Sequence, residues 1–207
     1  MPIINQNSKQ VCFRIMYYGL PLSGRTSSLE IIHKKVSNYV CKELTHEIIT
    51  KHRDYLYFEF ISPNKINDIT IKYRLFVSPS FHSCFACGHH MTLDDHISDI
   101  DAILDRVDGI IFIVDSQKPT LEDNIGALNL LKDVSHKKGL SIEDLLLVIQ
   151  WNKRDLEDES IVDVEKLERE INYLSVPSYE TTAVTGEGMI PAFKKCMELM
   201  EDRFIDC

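Results

Sequence analysis

The chain has 207 residues, of which 44% are hydrophobic and 27% charged, with a net charge of −9. That length suits one domain, residues 1–207, with a full core, and the composition is ordinary for a globular protein and not acidic enough to suggest disorder. The acidic balance argues against nucleic acid as a partner, which needs a basic face.

In chain order, residues 11–18 (VCFRIMYY) are mostly apolar and β-prone, as a buried parallel strand should be. They run into Gly19-Leu20-Pro21-Leu22-Ser23-Gly24-Arg25-Thr26, which has the spacing of a phosphate-binding loop, G-x-x-x-x-G-K-[ST], with arginine in place of lysine. Gly19 and Gly24 permit the tight turns by which backbone N–H groups wrap a phosphate. The helix that follows, predicted over 25–43 from Leu29, Ile32, Val36 and Val40, adds its N-terminal dipole. N–H groups from Leu22 to Ser27 would hold phosphates, and the Thr26 hydroxyl would hold Mg²⁺. Arg25 keeps the charge of the lysine it replaces, but as a wide planar fork.

Strand-like runs at 55–61 and 69–77 are joined by a short polar link at 62–68 and predict a hairpin, which makes one edge strand antiparallel. Next come His82, Cys84, Cys87, His89 and His90, with His96 close behind. A C-x-x-C with nearby histidines is a metal-like spacing, but it is one half-motif, and a polar surface loop is the better explanation. Strands follow at 109–114, 145–151 and 176–180, alternating with helical patterns at 94–106, 120–138, 163–174 and 187–203. This predicts an α/β chain with a mainly parallel mixed sheet and helices on both faces. In the last helix, Ile190, Phe193, Met197 and Met200 form an apolar stripe read as core.

The strand at 145–151 (LLLVIQW) ends in Asn152-Lys153-Arg154-Asp155. N-K-x-D after a strand is a guanine-reading element. The Asp155 carboxylate can accept two hydrogen bonds, from guanine N1–H and its exocyclic amine. Asn152 would tie the loops together, and the Lys153 stem would cover the base face. Downstream, Thr181-Thr182-Ala183-Val184-Thr185-Gly186 offers a small residue, Ala183, whose N–H would meet guanine O6, with Val184 beside it.

Taken with 17–28 (YYGLPLSGRTSS), 57–60 (YFEF), 107–117 (VDGIIFIVDSQ), 148–156 (VIQWNKRDL) and 180–188 (ETTAVTGEG), the chain resembles the Ras-like small GTPases, and most closely the MglA type of bacterial gliding and polarity GTPases. The resemblance implies a P-loop small-GTPase-like sheet of five to six strands, GTP or GDP with Mg²⁺ at the strands' carboxyl ends, and a two-state switch read by a partner protein. That partner would be a roadblock-type regulator or another GTPase. The departures cluster where γ-phosphate chemistry belongs. Ser80 stands for a glycine that meets the γ-phosphate, and Phe81 for the glutamine that orients water, a role no phenyl ring can fill. Tyr55 stands where a threonine should close over Mg²⁺. Thr45 and Thr50 would serve only after a loop shift, and Arg53 aligns one residue early for an arginine finger. No catalytic residue is therefore assigned. The expectation is a guanine-nucleotide-binding switch or sensor with weak or absent hydrolysis, or else a nucleotide-independent pseudo-GTPase scaffold.

No stretch is long and apolar enough for a membrane span, and the first residues lack a signal-peptide core. Pro2 after Met1 and Phe204 near the C-terminus fit no lipidation signal. The spacing of the six cysteines is read as reduced and intracellular. A cytoplasmic protein is expected.

Overall fold

The computed structural model describes residues 2–5, 9–50, 53–78 and 93–205. Its eight strands are β1 (Ile3–Asn5), β2 (Gln10–Gly19), β3 (Val40–Thr50), β4 (Arg53–Ile66), β5 (Ile69–Val77), β6 (Gly109–Asp115), β7 (Leu147–Asn152) and β8 (Ser178–Glu180). They form one sheet in the order β3-β4-β5-β2-β6-β7-β8, with β1 paired to β2. The helices are α1 (Arg25–Lys35), α2 (Leu93–Leu104), α3 (Leu121–Lys137), α4 (Val164–Glu170) and α5 (Met189–Ile205).

Strands β2, β5, β6, β7 and β8 run parallel. β6 and β7 are buried at every position, because helices cover both faces of a parallel sheet. On one face, Phe13, Ile15 and Tyr17 of β2 pack with Leu29 and Ile32 of α1 and with Phe193, Cys196 and Met200 of α5. On the other, Met16 and Tyr18 pack with Ile100 and Ile103 of α2 and Leu128, Leu131 and Val134 of α3. The stripe on α5 is core, as its spacing predicts: Phe193 and Met200 are buried, and Ile190 and Met197 pack against them. Each large apolar side chain so buried contributes about 1.5–3 kcal/mol.

The predicted hairpin forms, with Ile66 opposite Ile69. Two expectations are corrected. The first helix does not reach residue 43: it ends at Lys35, and after a short 3₁₀ turn the chain becomes β3. Leu29 and Ile32 continue the helical stripe, but Val36 caps the helix and Val40 opens a strand that pairs with Phe60. Residues 40–50 gain a partner only from β4, a tertiary pairing that their helical spacing does not reveal. The second correction follows from the first. β4 is internal, the antiparallel edge is β3, and among the described residues the sheet has eight strands rather than five to six.

No helix among the described residues is long and apolar enough to cross a membrane. Cys12, Cys41 and Cys196 are in no disulfide.

Candidate functional site

The sheet order reverses around β2, whose parallel neighbours are β5 and β6. In open α/β sheets the crevice beyond the carboxyl ends at such a point is where ligands bind. The Gly19–Thr26 loop leaves β2 at this position and enters α1.

The loop is wound tightly. Gly19, Leu22 and Gly24 have φ of +145°, +63° and +102°. A Cβ on Gly19 would lie 2.3 Å from the Ile113 carbonyl oxygen, and one on Gly24 would lie 2.2 Å from Asn152 Nδ2. Both glycines are therefore required by backbone shape and by space. Gly24 is the N-cap of α1 and supplies no side-chain cap, and the helix carries no acid in its first turn. The opening N–H groups of an α-helix lack intrahelical partners. This one is thus an acid-free, side-chain-uncapped N-terminus, with exposed Thr26 and Ser27 in its first turn. Beneath it, Ser23 is fully buried, and its hydroxyl has no hydrogen-bond partner among the described residues. Leu22 projects outward at 83% exposure. These donors suit a phosphate.

Arg25 turns inward. It is 5% exposed, and its Nη1 donates to the Ser78 carbonyl at 3.0 Å and to Ser78 Oγ at 2.8 Å, at the end of β5. Burial pulls the guanidinium down to about 10, so it remains a cation at neutral pH. The end of β5 presents Val77 and Ser78, neither of them a carboxylate.

The base-side loops meet the phosphate loop through Asn152. Its Nδ2 donates to the Ser23 carbonyl at 2.6 Å. Its Oδ1 accepts from Ala183 N at 3.0 Å and Thr181 Oγ1 at 3.3 Å. Asn152 is 1% exposed, so these bonds form where water cannot compete. The Ala183 N–H is held by Asn152, so any further acceptor would have to share it. Val184, at 83% exposure, lies at the rim. Asp155 is exposed, and its carboxylate carries no partner among the described residues. Lys153 has φ +68°, and its Nζ donates to Asp115 Oδ2 at 2.6 Å and Gln117 Oε1 at 3.0 Å.

No family model matches the chain. Its sequence is 29% identical over 202 residues to the mutual gliding-motility protein MglA of Myxococcus xanthus (strain DK1622), covering 97% of this chain and 96% of that protein. The chain is thus similar to MglA over nearly its whole length, which supports a small GTPase of the MglA type. The α/β sheet with helices on both faces is the fold that this relationship implies, and the loop after β2 and the N-K-x-D after β7 sit at its carboxyl end. The MglA-type reading from sequence assigned no role to Asp115, Gln117 or Ser78. For Asp115 a signal existed: a carboxylate ending an otherwise apolar strand beside the site.

Tyr55 lies within β4, where its hydroxyl donates to Glu47 Oε2 and its ring packs at a tilt against Phe76. It is a sheet residue rather than part of a closing loop. Thr45 and Thr50 lie in β3, and Arg53 opens β4. Ser80, Phe81 and the His82–His90 cluster lie outside the described residues, as does the side chain of His96. Among the described residues no group of metal-ligating side chains comes together.

Proposed function

We propose that this chain is a guanine-nucleotide-binding, MglA-like regulatory switch or sensor of the cytoplasm, with weak or absent intrinsic hydrolysis. The observation that carries the reading is Asn152, which joins an uncapped, acid-free helix N-terminus to an intact N-K-x-D loop. GTP or GDP fits the donor set. N–H groups of Leu22, Ser23, Gly24, Arg25, Thr26 and Ser27 would take the phosphates with Gly19 shaping the loop, and the Arg25 cation would add charge. Asp155 would accept from guanine N1–H and the exocyclic amine, Lys153 and Val184 would flank the base, and Ala183 N–H would reach its O6. Thr26 would ligate Mg²⁺, whose chemistry when bound is to neutralise phosphate charge. Phe81 in place of a water-orienting glutamine supports slow or absent turnover. A protein partner, a roadblock-type regulator or another GTPase, would read the bound state.

The test is the nucleotide content of the purified protein and its affinity for GTP, GDP and ATP, with and without Mg²⁺. Micromolar or tighter guanine binding, with ATP much weaker, supports the reading. Asp155→Asn loses one charge-assisted bond and misplaces a donor, so it should weaken GDP by roughly a hundred-fold. Unchanged affinity would sink the assignment.

A second reading, a nucleotide-independent scaffold, draws on Arg25, whose guanidinium already has protein partners in Ser78. A folded, cooperatively melting protein that binds no guanine nucleotide would favour it.

A further inference from the structure

Asp115 ends β6 with its carboxylate 5% exposed. Burying a carboxylate is unfavourable unless it is paired and hydrogen-bonded. This one is both: Oδ2 accepts from Lys153 Nζ at 2.6 Å, and Oδ1 accepts from the Gln117 backbone N–H at 3.1 Å. The residue is clamped from behind by fully buried Asn124. Asn124 Oδ1 accepts from Asp115 N at 3.3 Å, and Asn124 Nδ2 donates to the Asp115 carbonyl at 2.9 Å. Gln117 Oε1 supplies a second acceptor for the Lys153 ammonium at 3.0 Å. The backbone beside it is tied as well, because Ser116 N donates to the Asn152 carbonyl at 3.0 Å.

These bonds act on a residue that needs holding. Lys153 carries φ +68°, a conformation unfavourable for a side-chain-bearing residue, and its long side chain has many rotamers. It stands between Asn152, which fixes the loops, and Asp155, the proposed reader of the base edge. We propose that Asp115 is a positioning residue for the purine: it grips the Lys153 ammonium and thereby sets the lysine's apolar stem in place before a base arrives. Ordering the stem in advance removes a cost that binding would otherwise carry. The pairing also neutralises the ammonium locally, which leaves the phosphate work to Arg25 and the α1 N-terminus. The role assigned to Asp115 rests on the guanine-nucleotide reading above.

The test is a double-mutant cycle on the full chain, with binding of GDP and of inosine diphosphate, which lacks the exocyclic amine. Asp115→Asn should weaken both nucleotides by the same factor, roughly ten-fold, because it removes one charge-assisted contact that does not touch the base edge. Lys153→Met, which keeps an apolar stem, should also weaken both. In the Lys153→Met background Asp115→Asn should have no further effect. An additive cycle, an unchanged Asp115→Asn, or a changed GDP-to-inosine-diphosphate ratio in Asp115→Asn overturns the proposal while wild-type GDP binding keeps the underlying reading intact. Absence of guanine binding by the wild type overturns both. Melting curves report whether Asp115→Asn folds. If it does not, Gln117→Leu removes the other acceptor and runs the same cycle: coupling to Lys153→Met supports the latch, and additivity overturns it.

Discussion

Asn152 shows how one side chain can hold three segments distant in sequence. Its amide bonds to Ser23, Thr181 and Ala183 leave little of its hydrogen-bonding capacity unused. Asn152→Ala strips partners from a buried carbonyl and a buried N–H, and should cost about 1–3 kcal/mol of stability, read by denaturant unfolding. Arg25 is the second residue whose role is set by what it touches. Its Nη1 donates to both the carbonyl and the hydroxyl of Ser78. A lysine ammonium would keep the charge but lose the fork geometry. Arg25→Lys should therefore lower ligand-free stability by about 1 kcal/mol while strengthening binding of GTP or GDP. A variant with lower stability and no gain in affinity would show that Arg25 serves packing alone.

Elements meet closely where glycine allows it. Gly109 opens β6 under α5, and a Cβ there would lie 2.8 Å from Met200 Sδ and 2.9 Å from Cys196 Sγ. Because the obstructing atoms are side chains in a packed core, Gly109→Ala should fold but lose about 1–3 kcal/mol, seen as a lower melting temperature. Between β4 and β5 the sheet face carries Glu59, whose carboxylate accepts from Lys72 at 2.7 Å and Arg74 at 2.6 Å. Burial pushes its carboxyl up, but the bonds and charges of Lys72 and Arg74 outweigh that and hold it below its ordinary value of 4.5. A depressed carboxyl stabilises the fold fully above that ordinary value, and the contribution is lost as pH falls through the lower folded value. Melting temperature should drop on acidification in that range, and Glu59→Gln should flatten the drop. The β3 edge carries Lys42, Glu43 and Glu47 and register shifts opposite β4. Charges and bulges of this kind discourage pairing with another chain.

Across the whole molecule, two apolar layers sandwich one sheet, and the candidate site lies at the sheet's carboxyl end, built from loops that the layers fix. A ligand at those loops would couple the β2–α1 junction to the β7 and β8 ends through Asn152. Binding to the folded state alone stabilises by mass action, about 2.7 kcal/mol at a hundred-fold excess over Kd. GDP at that level should raise the melting temperature by roughly 5–10 °C for a chain of this size, and ATP should not. An equal response to both nucleotides, or none, would count against base selection by Asp155.

Local sequence determined the elements whose signals are local. The apolar runs of β6 and β7, the glycines of the loop after β2 and the Asn-Lys-Arg-Asp after β7 each carry their meaning within a few residues. Burial on both faces, positive φ and side-chain chemistry are short-range demands. The tertiary structure alone decided three things. Residues 40–50 became a strand because β4 offers a hydrogen-bonding edge, a partner that a helical spacing of valines does not disclose. Arg25 turned inward because Ser78, 53 positions away, ends the neighbouring strand. Asp115 found Lys153, 38 positions away, because β6 and β7 lie side by side in register. In each case the deciding energy comes from a contact between segments distant in the chain, which exists only once the sheet has assembled.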